Sequence, residues 1–153
     1  ATGFSWSRGV HVTLISYCDL HVGLELPAQE FVFTRVDLIK YAGASGDFNV
    51  IHWNERVATE VGLPSVIAHG MLTMGTVIRV VTDWLGDPGK ITSYSARFTR
   101  PIPVPDSDEG ATIKVTAKIT ELLENNQAVI SILAIHNDVT VLAKTVVTVT
   151  LKP

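Results

Sequence analysis

A single cysteine, Cys18, excludes an intramolecular disulfide, so nothing in the chain calls for an oxidising compartment and a cytoplasmic setting is expected. Neither sign of charge dominates. Twelve Lys and Arg against 15 Asp and Glu leave a formal net charge of -3, which gives no reason to expect nucleic acid or an anionic membrane surface as partner. Apolar runs are interrupted before they reach bilayer length, and no leader pattern opens the chain, so neither a membrane span nor a signal peptide is expected. The first residue is Ala1, which fits a processed chain or one cut from a longer polypeptide. Internal repeats and low-complexity tracts are absent. Ser45 lacks a G-x-S-x-G elbow, which argues against a serine hydrolase, and Gly86-Asp87-Pro88-Gly89 reads as a turn with no phosphate loop.

What remains is an apolar globular chain. At 153 residues, 46% of them hydrophobic, it is long enough for one domain with a sizeable core and no staples. Residues 1–17 show no clear period and read as an extension or linker, with a short strand expected at Val10–Ile15; residues 18–153 read as the domain. Glu30–Phe33 reads as a strand. Thr34 with Asp37 forms a capping-box-like pair, which predicts a helix over Arg35–Ala44 with Val36, Ile39, Lys40 and Gly43 on one face and Gly46 ending it. Asn54 caps a short helix over Glu55–Val61. Gly70–Leu85 predicts one helix, apolar nearly all round and therefore buried, with Met71, Met74, Ile78, Val81 and Leu85 on a stripe.

The period then changes to two. Strands are expected around Tyr94–Phe98, Ile113–Thr120, Ala128–Ile135 and Val139–Leu151, with turns at Glu124-Asn125-Asn126 and His136-Asn137-Asp138. Pro101, Pro103 and Pro105 break the first of them. Ala128–Ile135 is nearly continuous apolar, as a central strand would be. A strand, helices and four long strands predict an α+β domain, an antiparallel sheet packed on one long helix.

The stretch from Tyr41 to His69 holds the chemistry-bearing residues. Asp47 and His52 flank a loop rich in turn formers. A carboxylate and an imidazole converging on one water could act as acid and base. The plainer reading is an Asp capping a turn and a His packed beside Trp53, and spacing alone does not separate the two. Gly70 opens the long helix, where N–H groups lack partners and negative charge is favoured, so its N–H suits a developing oxyanion. The plainer reading of Gly70 is close packing. His69 reads more readily as a structural histidine bonded to backbone than as a catalyst. Asp47, His52 and His69 offer metal-ligand types, but their spacing fits none of the common zinc signatures, and no metal is expected.

Two blocks, Tyr41 to His52 and Ala68-His69-Gly70-Met71, resemble the signature of the MaoC-like, hot-dog-fold (R)-specific enoyl-thioester hydratases. The likeness runs from about Val22 to the C-terminus. Ile51-His52-Trp53, Ala68 to Gly75, Trp84 to Gly89 and Arg97-Phe98-Thr99 resemble most the catalytic beta subunits of mycobacterial (3R)-hydroxyacyl-acyl-carrier-protein dehydratases. The resemblance implies a hot-dog fold, the sheet wrapped round the helix that starts near Gly70. It implies a hydro-lyase that reversibly hydrates trans-2-enoyl thioesters of coenzyme A or acyl carrier protein in fatty-acid metabolism, without a cofactor. Asp47 and His52 would orient water and move protons, the Gly70 N–H would hold the enolate oxygen, and Asn49, His69 and Thr73 would support the loop and bind substrate. The sequence departs from the family at Val50, where proline is usual, and at Gly75, where many members carry serine; any hydrogen bond from that serine is absent or replaced, with Thr73 the candidate. A homodimer, or a heterodimer with a second hot-dog subunit, is expected. A hot-dog thioester hydrolase and a non-catalytic dehydratase subunit are the competing readings.

Overall fold

The computed structural model describes residues 15–153. The expected strand Val10–Ile15 lies outside them except for Ile15. Five strands form one antiparallel sheet: β1 (Gln29–Phe33), β2 (Ile91–Phe98), β3 (Ala111–Leu123), β4 (Gln127–His136) and β5 (Val139–Thr150), in the spatial order β1-β3-β4-β5-β2. The near-continuous apolar β4 lies at the centre, as its composition predicts. β3 alternates strictly, burying Ala111, Ile113, Val115, Ala117 and Ile119. Asn125 and Asn126 turn the β3–β4 connection, and Asn137 with Asp138 turns β4 into β5; all four take left-handed φ, which Asn and Asp tolerate better than other side chains. β1 and β2 form the two edges.

Helix α1 (Arg35–Ser45) starts at a complete capping box: Thr34 Oγ1 accepts the Asp37 N–H, and the Asp37 carboxylate accepts the Thr34 N–H. The Thr34 hydroxyl and, next, the Thr34 N–H, both donating to the Asp37 carboxylate, hold that carboxyl below its usual pKa. Gly46 closes the helix in left-handed conformation, φ 75°. The face that α1 buries is Leu38 and Ala42, not the expected Val36–Ile39–Gly43 face; Val36 and Ile39 stand exposed. Helix periodicity identifies faces but not which one tertiary packing covers, and here the smaller stripe is the buried one. Helix α2 (Glu55–Glu60) is capped by Asn54, whose Oδ1 accepts the Val57 N–H.

The long central helix is interrupted once. It forms α3 (Gly70–Val77) and α4 (Arg79–Leu85), joined at Ile78, where the Val81 N–H reaches back to Ile78 O in a tighter turn. Gly75 and the β-branched run Thr76-Val77-Ile78 are weak helix formers, which accounts for the break. Nor is the helix buried all round. Thr73, Val77, Val80, Val81 and Leu85 face the sheet, while Met71 is 61% exposed. The sheet wraps this helix, which gives the hot-dog arrangement. No helix among the described residues is long and apolar enough to cross a membrane. Ser16 and Tyr17 are tied to the C-terminal end of the sheet: the Tyr17 N–H donates to Lys152 O, and its hydroxyl to Leu123 O.

Candidate active site

The loop after α1 is built by short-range hydrogen bonds. Left-handed Gly46 turns the chain sharply away from the helix. Ser45 Oγ donates to Tyr41 O at 2.7 Å and accepts the Asp47 N–H at 3.2 Å. Asp47 Oδ1 accepts the Asn49 N–H, and Asn49 Oδ1 accepts the Ile51 N–H. These two Asx turns make the Asp-x-Asn spacing a folding signal as well as a chemical one. A 3-10 turn over Val50–His52 then carries His52 inward, where it is buried while Asp47 remains exposed. Asn49 thus bonds to the backbone of its own loop.

Backbone carbonyls fix both histidines. His52 Nδ1 lies 2.7 Å from Ile67 O. A carbonyl only accepts, so Nδ1 carries the proton and Nε2 keeps its lone pair for the site. The Ile67 N–H in turn donates to Ile51 O, which clasps the segment before α3 to the His52 turn. His69 Nε2 lies 3.2 Å from Asp47 O and is a donor by the same argument. Its ring stacks on His52 with centroids 3.8 Å apart and planes 24° apart, and Tyr41 flanks it at 4.8 Å. Burial pushes the His69 pKa down, with neighbouring His52 a smaller influence in the same direction; the Asp47 carbonyl and carboxylate oppose it.

Ligand-type atoms of Asp47, His52 and His69 lie within 4.8 Å of one another. Stacking argues against a metal there. An ion held by both imidazoles must lie in the plane of each ring at about 2 Å from its nitrogen, which rings stacked nearly parallel do not allow.

A cavity of about 320 Å³ opens beside this cluster. His52, Gly70, Thr73, Phe98, Arg100 and Val141 are among the residues that line it, with mostly apolar neighbours. Gly70 is the first residue of α3, and among the described residues nothing accepts its N–H. The unpaired donor and His52 therefore border one space. A Cβ on Gly70 would stand 3.2 Å from the Phe98 ring, so glycine also keeps the mouth of the cavity open. Thr73 faces the cavity, its hydroxyl donating to His69 O, whereas Gly75 is exposed with open space beside it. His69, expected to bind substrate as well as support the loop, does not line the cavity. Sequence reasoning missed the Ile67 carbonyl, Tyr41 and Phe98. Only Phe98 carried a signal, as the last inward residue of an alternating strand.

Val50 occupies the position where the family has proline. Among the described residues its N–H has no acceptor, and Asn49 before it is extended (φ -55°, ψ 125°), the conformation proline requires of its predecessor. Val50→Pro is therefore expected to stabilise the fold by about 0.4–1 kcal/mol through the unfolded chain. Denaturant unfolding of both proteins measures it.

Comparisons with known proteins bear on the family and the fold. The family described as "MaoC like domain" matches residues 22–133. The chain is 37% identical over 79 residues to 3-hydroxyacyl-thioester dehydratase X of Mycobacterium tuberculosis, covering 52% of this chain and 27% of that protein. It is 36% identical over 86 residues to the (R)-specific enoyl-CoA hydratase of Rhodospirillum rubrum, covering 56% of this chain and 59% of that one. A solved structure described as a MaoC-like dehydratase superposes with a TM-score of 0.86 at 38% identity, over 90% of this chain and 42% of that one. The chain thus spans less than two thirds of each of these proteins. With most of its length matched and both sequence blocks gathered at one cavity, the chain belongs to the MaoC-like domain family.

Proposed function

We propose that this chain is a hydro-lyase that adds water reversibly across trans-2-enoyl thioesters to give (3R)-3-hydroxyacyl thioesters. The observation that carries the reading is the shared cavity: His52, whose Nδ1 is spent on the Ile67 carbonyl, and Gly70, whose N–H lacks an acceptor among the described residues, line the same space of about 320 Å³, and the Asp47 carboxylate, outside the lining, lies close to His52. Hydration needs a base for water at Cβ, a proton for Cα, and a donor for the enolate oxygen. His52 Nε2 and the Asp47 carboxylate supply the first two. The Gly70 N–H, at the positive end of α3, supplies the third. Dehydration runs the same steps in reverse with roles exchanged. The thioester itself acidifies Cα, so no cofactor takes part.

The carrier is coenzyme A or acyl carrier protein, and the setting is fatty-acid metabolism in a reducing, cytoplasmic compartment that suits the exposed free Cys18. The test combines two readouts on crotonyl-CoA: loss of enoyl absorbance and release of free thiol. Hydration removes the absorbance and releases no thiol. Thiol release in step with turnover would make the chain a hydrolase instead.

A second hot-dog subunit, identical or paralogous, completes the unit. Among the described residues β2 is a sheet edge, and apolar side chains stand exposed on α1, on the Asp47–Trp53 loop and at Met71, more than a lone globular chain ordinarily leaves in water. The expected outcome of light scattering is a dimer, or an aggregating, inactive chain that becomes active when its paralogous partner is added. A stable, fully active monomer would contradict it.

A further inference from the structure

His69 occupies the N-cap of α3, a position where polar side chains usually bond the first turn of their own helix. Here the side chain makes no such bond. It turns instead toward the loop of the catalytic pair, where it is 1% exposed. One nitrogen is spent on the Asp47 carbonyl, the ring face lies on His52, and Tyr41 closes the far side. The other nitrogen, Nδ1, is buried with no hydrogen-bond partner among the described residues. An unpartnered buried acceptor costs stability, and an apolar ring of the same size would avoid that cost.

We propose that His69 is a positioning residue for both halves of the pair, its Nε2–H anchoring the Asp47 main chain and its ring fixing the His52 imidazole, and that the fold accepts an unsatisfied nitrogen to obtain this. Its Nε2 is spent on the Asp47 carbonyl and its ring packs on His52 and beside Tyr41, so it acts through Asp47 and His52 and not on substrate. The uncharged form is the one the site selects. Nε2 must be the protonated nitrogen because it faces a carbonyl, and a second proton on Nδ1 would be a buried donor with nowhere to go. It would also set a positive charge against the face of His52. The other charged or titratable groups at this ring are the Asp47 carboxylate and the Tyr41 hydroxyl. This inference rests on the reading of Asp47 and His52 as the proton-transfer pair.

Two substitutions separate the contributions. His69→Phe keeps the ring and its burial and removes the tether. His69→Gln places an amide nitrogen at the same number of bonds from the backbone as Nε2, keeping the tether and losing the ring. The Phe protein is expected to unfold at the same temperature as the natural one or higher, with kcat lowered by roughly 10–10²-fold, the effect of a reacting group displaced by up to about 1 Å. KM should stay within about twofold, since uniform binding is untouched. The Gln protein should recover roughly fivefold of that loss, about the worth of one neutral hydrogen bond. Nitrogen-15 spectra of the imidazoles test the geometry without any turnover. In the neutral rings the natural protein should show His52 as the Nδ1–H tautomer and His69 as the Nε2–H tautomer, and His69→Ala, by freeing the His52 ring to swing off the Ile67 carbonyl, should turn His52 into a tautomeric mixture. A chain without hydratase activity but with these spectra would leave the positioning intact and overturn the proposed reaction. A folded Phe protein with unaltered kcat, or His52 spectra unchanged by His69→Ala, would overturn the positioning itself.

Discussion

Asp47→Asn is expected to leave the fold intact and to lower kcat for enoyl-thioester hydration by at least on the order of 10²-fold, the low end for a positioned acid-base group. The change is nearly isosteric. Asn keeps an oxygen to accept the Asn49 N–H, so the Asx turn that shapes the loop survives. The main-chain carbonyl that receives His69 is untouched. What disappears is the negative charge and the capacity to take a proton beside His52. His52→Gln should lose a similar factor, since Gln has no titratable nitrogen to replace Nε2. The double variant should be little worse than either single one, because residues that act as a unit do not add. Steady-state kinetics on folded protein decides it. Near-normal kcat in Asp47→Asn would remove the carboxylate from the chemistry.

The second large effect concerns an atom that no side-chain substitution removes. Replacing the amide between His69 and Gly70 with an ester deletes the Gly70 N–H and is expected to lower kcat by roughly 10²-fold or more, as for other lost oxyanion donors. Three features support that size. The N–H starts α3 and lacks an internal partner. The helix dipole favours the charge that builds on the thioester oxygen as Cα gains enolate character. Glycine lets that oxygen come close, with only the Phe98 ring near. An ester one residue later, at Met71, weakens a helix carbonyl similarly without removing the Gly70 donor, and serves as the control. Equal losses at both positions would mean that helix integrity, not oxyanion binding, is being measured. Gly70→Ala reads a different quantity, the crowding of Phe98, because the alanine retains its N–H.

Much of this arrangement is legible in the sequence where local chemistry decides it. Thr34 with Asp37, left-handed Gly46, the paired Asn residues of the β3–β4 turn and the strict alternation of β3 are short-range signals, and each lies where its chemistry places it. So does the loop from Asp47 to Asn49, whose side chains fold their own backbone. Legibility ends where distant packing chooses. Val36 and Ile39 make as good an apolar face as Leu38 and Ala42, yet the fold buries the latter. An apolar pattern over Gly70–Leu85 does not reveal that β-branched residues tighten the helix at Ile78 or leave Met71 in solvent.

The candidate site shows the same division. Asp47, His52 and Gly70 stand out by type and context. What sets their chemical state does not. The tautomer of His52 is fixed by the main-chain oxygen of Ile67, an atom that every residue possesses. The stacking of His69 on His52 joins residues from two separate segments, and only the folded chain brings those rings face to face. His69 therefore reads from sequence as generic loop support, and from the structure as the contact that links the catalytic loop to the start of α3.

The most direct measurement of the central claim is turnover of crotonyl-CoA in water enriched in oxygen-18, with the products resolved by mass spectrometry and the partner subunit added if the chain requires one. The account predicts one labelled oxygen on C3 of an intact (3R)-3-hydroxybutyryl thioester, formed by the natural protein and lost in Asp47→Asn. Label in a free carboxylic acid with coenzyme A released, or label on C3 at an undiminished rate in Asp47→Asn, would contradict it.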